Sequence, residues 1–99
     1  MGEVEVLALV QDMTISRDEF VRSLRGAVAG AEFTVEGGDI RPVDAGQRWR
    51  IALEALPDLG LGSIRLPRQR VEIHLAGCDA SATRRFLERF ELYFRRGGG

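Results

Sequence analysis

The spacing of hydrophobic positions changes several times along the chain, and each change marks an element. Val4, Val6, Ala8 and Val10 alternate with Glu5, Leu7 and Leu9, a period of two that predicts a strand. That strand is apolar on both faces towards its end, which asks for a central place in a sheet or a cover on each side. From Phe20 the period lengthens. Phe20, Val21, Leu24, Ala27 and Val28 form the stripe of an amphipathic helix. Ser16 stands at the N-cap with Glu19 placed to close a capping box, and Ile15 and Phe20 occupy the positions of a hydrophobic staple. Gly30 is placed to end the helix, so the pattern predicts helix over residues 17–29.

Alternation resumes at Glu32-Phe33-Thr34-Val35-Glu36. Gly37-Gly38 permits a turn or a bulge, and Ile40 to Val43 is expected to continue the same strand beyond a bulge, as an edge because of Pro42. After the turn sequence Asp44-Ala45-Gly46, residues 47–55 place Trp49, Ile51, Leu53 and Ala55 on one face. Residues 70–76 do the same with Val71, Ile73 and Leu75. Asp79 or Ser81 can cap a final helix of about residues 80–95, with Phe86, Leu87, Phe90, Tyr93 and Phe94 on one broad face and Leu92 opposite. The order β-α-β-β-β-α predicts an α+β fold, a two-layer sandwich with a mainly antiparallel sheet and both helices on one face. One domain is expected over 1–96, with a flexible glycine tail at 97–99.

Residues 56–69 are too apolar for a plain loop. Gly62-Ser63 is a two-residue hairpin turn that sets Leu61 opposite Ile64 and Leu59 opposite Leu66. Carried inward, that register would oppose inward Leu53 to outward Glu72, so one bulged residue near Pro57 and Pro67 is expected. The result is a long bulged hairpin arm with an apolar tip. Either it folds back onto the sheet, or Leu59, Leu61, Ile64 and Leu66 pack on another chain, most simply a second copy.

Composition narrows the classes. At 99 residues, 44% hydrophobic, with a formal net charge of −1, the chain is neither disordered nor multidomain. No apolar run approaches the ~18 residues of a membrane span. The acidic start Met1-Gly2-Glu3 is not a secretory leader, and the single Cys78 makes no internal disulfide, so a reducing cytoplasm is expected. All 14 basic residues are arginine, and charge is segregated. Residues 1–40 carry eight acids against three arginines, and residues 41–99 carry eleven arginines against seven acids.

Catalytic chemistry is sparse. One histidine and one cysteine give no metal-ligand spacing, and no phosphate-binding or dinucleotide loop is present, so no metal and no cofactor is expected. Cys78 precedes a helix N-terminus that can lower a thiol pKa, but His74 lies on the preceding strand without assured geometry, and the chain reads as non-enzymatic. The outward faces of two strands bring Arg48, Arg50, Arg70, Glu72 and His74 together, with Arg41 and Arg68 near. Either these form a salt-bridged solvated surface or an anion or RNA-backbone face. No outward aromatic is available for base stacking. The α-β-β-β-α part is superficially similar to a double-stranded RNA-binding domain, with only Arg84 and Arg85 at the second helix for its basic cluster. The terminal Gly97-Gly98-Gly99 is similar to the ends of ubiquitin-like and sulfur-carrier proteins, whose tail follows a strand where this one follows a helix. The leading expectation is a protein that acts by self-association or by docking to a protein partner through Leu59, Leu61, Ile64 and Leu66. The alternative is anion or nucleic-acid binding through Arg48, Arg50, Arg70 and His74.

Overall fold

A computed structural model describes residues 4–97. The elements are β1 (Glu5–Met13), α1 (Arg17–Ala27), β2 (Phe33–Glu36), β3 (Asp39–Pro42), β4 (Trp49–Leu61), β5 (Ile64–Ala76) and α2 (Ala80–Gly97). The strands form one antiparallel sheet of five, in the order β1-β5-β4-β3-β2. The α+β class holds, with one strand more than the sequence pattern suggests. Residues 33–42 are a hairpin rather than one bulged strand, because Gly37 adopts φ +60° and Gly37-Gly38 turns the chain. Pro42 causes no break, since the β3–β4 ladder joins Asp39 to Ala52 and Ile40 to Ile51 and stops before it.

The helix signals read locally are satisfied locally. Ser16 Oγ accepts from the Glu19 amide at 3.1 Å while the Glu19 carboxylate reaches back to the Ser16 amide, and the staple residues Ile15 and Phe20 are both buried. The helix ends two residues earlier than expected. The Ala29 amide bonds Gly26 O and the Gly30 amide bonds Arg25 O, which is a Schellman closure with Ala29 at φ +57° in the left-handed position. Asp79 caps α2, its Oδ1 accepting from the Ala82 amide at 2.7 Å. Gly97 belongs to α2, while Gly98 and Gly99 lie outside the described residues, as does the acidic start at Met1–Glu3.

One core holds these elements together. Phe20, Leu24 and Ala27 of α1, and Phe90 and Phe94 of α2, pack with Ile40, Trp49, Ile51, Leu53, Val71, Ile73 and Leu75 of the sheet. The ring centroids of Phe20 and Phe94 lie 4.6 Å apart and those of Phe90 and Phe94 4.3 Å apart. Arg89 of α2 donates to the Ala27 carbonyl at 2.9 Å, satisfying an orphan acceptor at the end of α1.

Two irregularities decide which side chains face out. In β1, Leu7 pairs with His74 but Leu9 pairs with Ile73, so Ala8 is an extra residue and alternation reverses across it. Leu9 and Met13 turn towards the core, and Leu7 and Val10 turn to the open face, each 50% exposed. The even-numbered face expected for Val4, Val6, Ala8 and Val10 therefore does not persist. In β4, the three steps from Leu56 to Leu59 oppose the two steps from Arg68 to Leu66 on β5. The extra residue is on β4, and β5 keeps its alternation throughout.

Candidate functional site

The outer ends of β4 and β5 stand beyond their neighbours. Pairing of β1 stops at Gln69 and pairing of β3 stops at Ala52, leaving a two-stranded ribbon that closes at Gly62-Ser63, with Gly62 at φ +62°. The molecule is accordingly long, 51 × 25 × 22 Å. Leu61 pairs with Ile64, and Leu59 with Leu66. Positions two apart share a face of a strand, so these four side chains share one face of the ribbon. Because β5 alternates without interruption, Leu66 and Ile64 continue the row of Arg68, Arg70, Glu72 and His74, on the side of the sheet away from the helices. Leu61 and Ile64 remain 56% and 58% exposed and Leu59 39%; Leu66 is half-buried. The apolar positions singled out from the sequence are thus brought together, and the ribbon extends away from the core.

The arginine face is also brought together, but as an ion-pair network. Arg50 lies across β5 to grip Glu5 of β1 with two bonds, 2.9 Å and 3.1 Å, and reaches Asp39 of β3 at 3.1 Å. Arg41 pairs with the same Asp39. The Arg50 guanidinium holds the Glu5 carboxyl below its ordinary range, and Arg41, followed by Arg50, does the same for Asp39. The paired carboxylates hold the Arg50 guanidinium more firmly in its charged form. Asp12 of β1 sits 3.3 Å from Arg70 and 3.7 Å from Arg68. The His74 ring lies between Glu72 at 3.3 Å and Glu5 at 3.6 Å. Arg48 has interactions of its own. The face is therefore stitched across strands by opposite charges.

Cys78 and His74 each face other groups. Cys78 is exposed, with its Sγ 3.7 Å from the Ala76 carbonyl, while the ring nitrogens of His74 face carboxylates. Among the described residues no cluster of His, Cys, Asp and Glu could hold a metal ion.

The place of β1 was open in the sequence: its two apolar faces asked for a central position or a cover on each side, and the structure sets the strand at the sheet edge, with Val4 78% and Val6 58% exposed. Beside it, on the helix side, two adjoining cavities run between β1 and α2. One of about 390 Å³ is lined by Leu9, Gln11, Met13, Leu87, Phe90, Glu91 and Phe94. The other, of about 560 Å³, lies between Val4, Val6, Leu75, Cys78 and Arg84 at the far end of the strand. The sequence signal was the excess of apolar residues on β1 itself, which a central strand would have hidden. Among the described residues no helix is long and apolar enough to cross a membrane. Compared with known proteins, the chain matches no family model, no curated protein and no solved structure.

Proposed function

We propose that this protein works by docking to another protein chain, self-association foremost, with the β4–β5 arm as the docking element. The observation that supports the reading is the arm's single apolar face, Leu59, Leu61, Ile64 and Leu66, held away from the core. Exposed apolar clusters of this kind are characteristic of interaction sites rather than of inert surface. An anion- or RNA-binding role for Arg48, Arg50, Arg70 and His74 draws less support, since Arg50, Arg70 and His74 already face carboxylates of the same chain. Displacing those partners would offset much of what a phosphate contributes.

Light scattering across a concentration series tests the reading. The wild type is expected to associate, and the double variant Leu61→Asp with Ile64→Asp is expected to be a monomer with unchanged circular dichroism. A wild type that stays monomeric at every concentration refutes self-association.

A further inference from the structure

We infer that the arm of one copy seats in the groove between β1 and α2 of a second copy, reciprocally, about a two-fold axis. The inference rests on the docking role proposed above and names its occupant.

Area is the first argument. A fully exposed aliphatic side chain offers on the order of 100 Å² to burial, the area implied by ~2–3 kcal/mol at ~25 cal/mol per Å². Three of the four arm side chains are 39–58% exposed, so two tips meeting face to face would bury roughly 400 Å². A stable interface needs about 1,200–2,000 Å². Tip-to-tip contact is therefore too small, and the arm needs a concave partner. The β1–α2 groove is concave and apolar, and its floor is core: Met13, Phe90 and Phe94, with Leu9 and Leu87 as walls. An aliphatic anchor entering it would meet buried aromatic side chains, the arrangement that concentrates binding energy.

Reach is the second argument. The ribbon outside the β4 irregularity, Pro57 to Leu61, is about 17 Å long at ~3.4 Å per residue. Met13 pairs with Gln69 at the arm's base, so the Met13 end of β1 lies beside the point where the arm leaves the sheet. Two copies abutting base to base in antiparallel fashion would lay each arm along the other's β1 from Met13 towards Leu9, about 14 Å at the same rise. That span is the 390 Å³ cavity. The 560 Å³ cavity at Val4 and Cys78 lies beyond reach.

Charge does not decide this placement: outside the irregularity the arm carries Arg65 and Asp58, and Arg68 at its base already faces Asp12. The seat also covers the outer edge of β1, which has no strand beside it among the described residues. Each copy thus supplies one arm and one groove, and the interface is isologous.

Disulfide trapping tests the geometry. In a Cys78→Ser background, Leu61→Cys and Gln11→Cys are introduced singly and together, and each protein is mildly oxidised at low concentration. The double variant is expected to give a covalent dimer on a non-reducing gel, and each single variant to stay monomeric there. Gln11 is exposed, so the probe leaves the core intact. Covalent dimers from Leu61→Cys alone would show tips meeting tips, overturning this inference while leaving the arm as the docking element. Dimers by light scattering without trapping of the double variant would overturn it equally. A monomeric wild type would remove both this inference and the reading it rests on.

Discussion

Replacing Arg50 by Met removes the centre of the ion-pair network while keeping most of the aliphatic stem. Arg50 joins β1 to β3 through Glu5 and Asp39. Its side chain is 24% exposed and those of its partners are 43% and 33% exposed, so neither contact has the full strength of a buried pair. Exposed pairs contribute about 0.2–1 kcal/mol each, and the two-bond grip on Glu5 belongs at the upper end. The expected loss at neutral pH is therefore about 1–2 kcal/mol. The pH dependence identifies its origin. Both carboxyls titrate in the folded protein below their ordinary values of 4.5 and 3.8, so in acid the unfolded chain binds more protons than the folded one. The stabilisation is fully present above about 4.5 and is lost as pH falls through the folded values. Urea unfolding of wild type and variant at pH 7 and pH 3 should show a difference of ~1–2 kcal/mol at pH 7 that is smaller at pH 3. An equal difference at both pH values would refute the reasoning, because it would trace the loss to packing of the side-chain stem.

Two backbone predictions need only thermal unfolding. Ala29→Gly should raise stability by about 0.5–1 kcal/mol, because a non-glycine residue at φ +57° costs ~1–2 kcal/mol and glycine's freer unfolded chain returns part of that; an unchanged or lower melting temperature would count against the strain. Gly38→Ala should destabilise by at least about 2 kcal/mol, since its Cβ would meet the Leu53 carbonyl oxygen, and the 2.7 Å bond from the Leu53 amide to Gly38 O ties the same two residues. Gly37→Asn, next to it at φ +60° with open space around it, should be tolerated, and equal damage from both substitutions would refute the assignment.

Much of this fold was legible because its signals are short-range. The capping box at Ser16, the stripe of α1, the Gly62-Ser63 turn and the opposition of Glu54 to Arg70 each depend on residues that meet locally or through one hairpin. What stayed hidden was long-range. Whether Gly37-Gly38 bulges a strand or folds it back depends on β4, which receives the β3 half of the hairpin. The place of β1 depends on β5, 71 residues away in the pair Glu5–Ala76. No periodicity within β1 distinguishes a central strand from an edge that keeps apolar side chains for a partner. The arginines were legible as a set, but the carboxylates facing them, Glu5, Asp12 and Asp39, come from strands whose order was not.

The two strand irregularities have a common effect on what the surface can do. Without the extra residue in β4, an unbroken alternation would carry Leu59 and Leu61 on the face of Leu53, the helix side of the sheet. With it, the apolar row of the arm faces the side that the helices leave open. Without the extra residue at Ala8, Leu9 would face out and Val10 in; with it, Leu9 lines the β1–α2 groove and Leu7 and Val10 are displayed. Each insertion costs local ladder bonds; the one in β4 also keeps Leu53 opposite Val71 in the core while turning the arm's apolar row outward. Both lie in the strands that carry the unpartnered apolar surface, one in the arm and one at the groove. Their coincidence with the two halves of the proposed contact is the arrangement that the association proposed above requires.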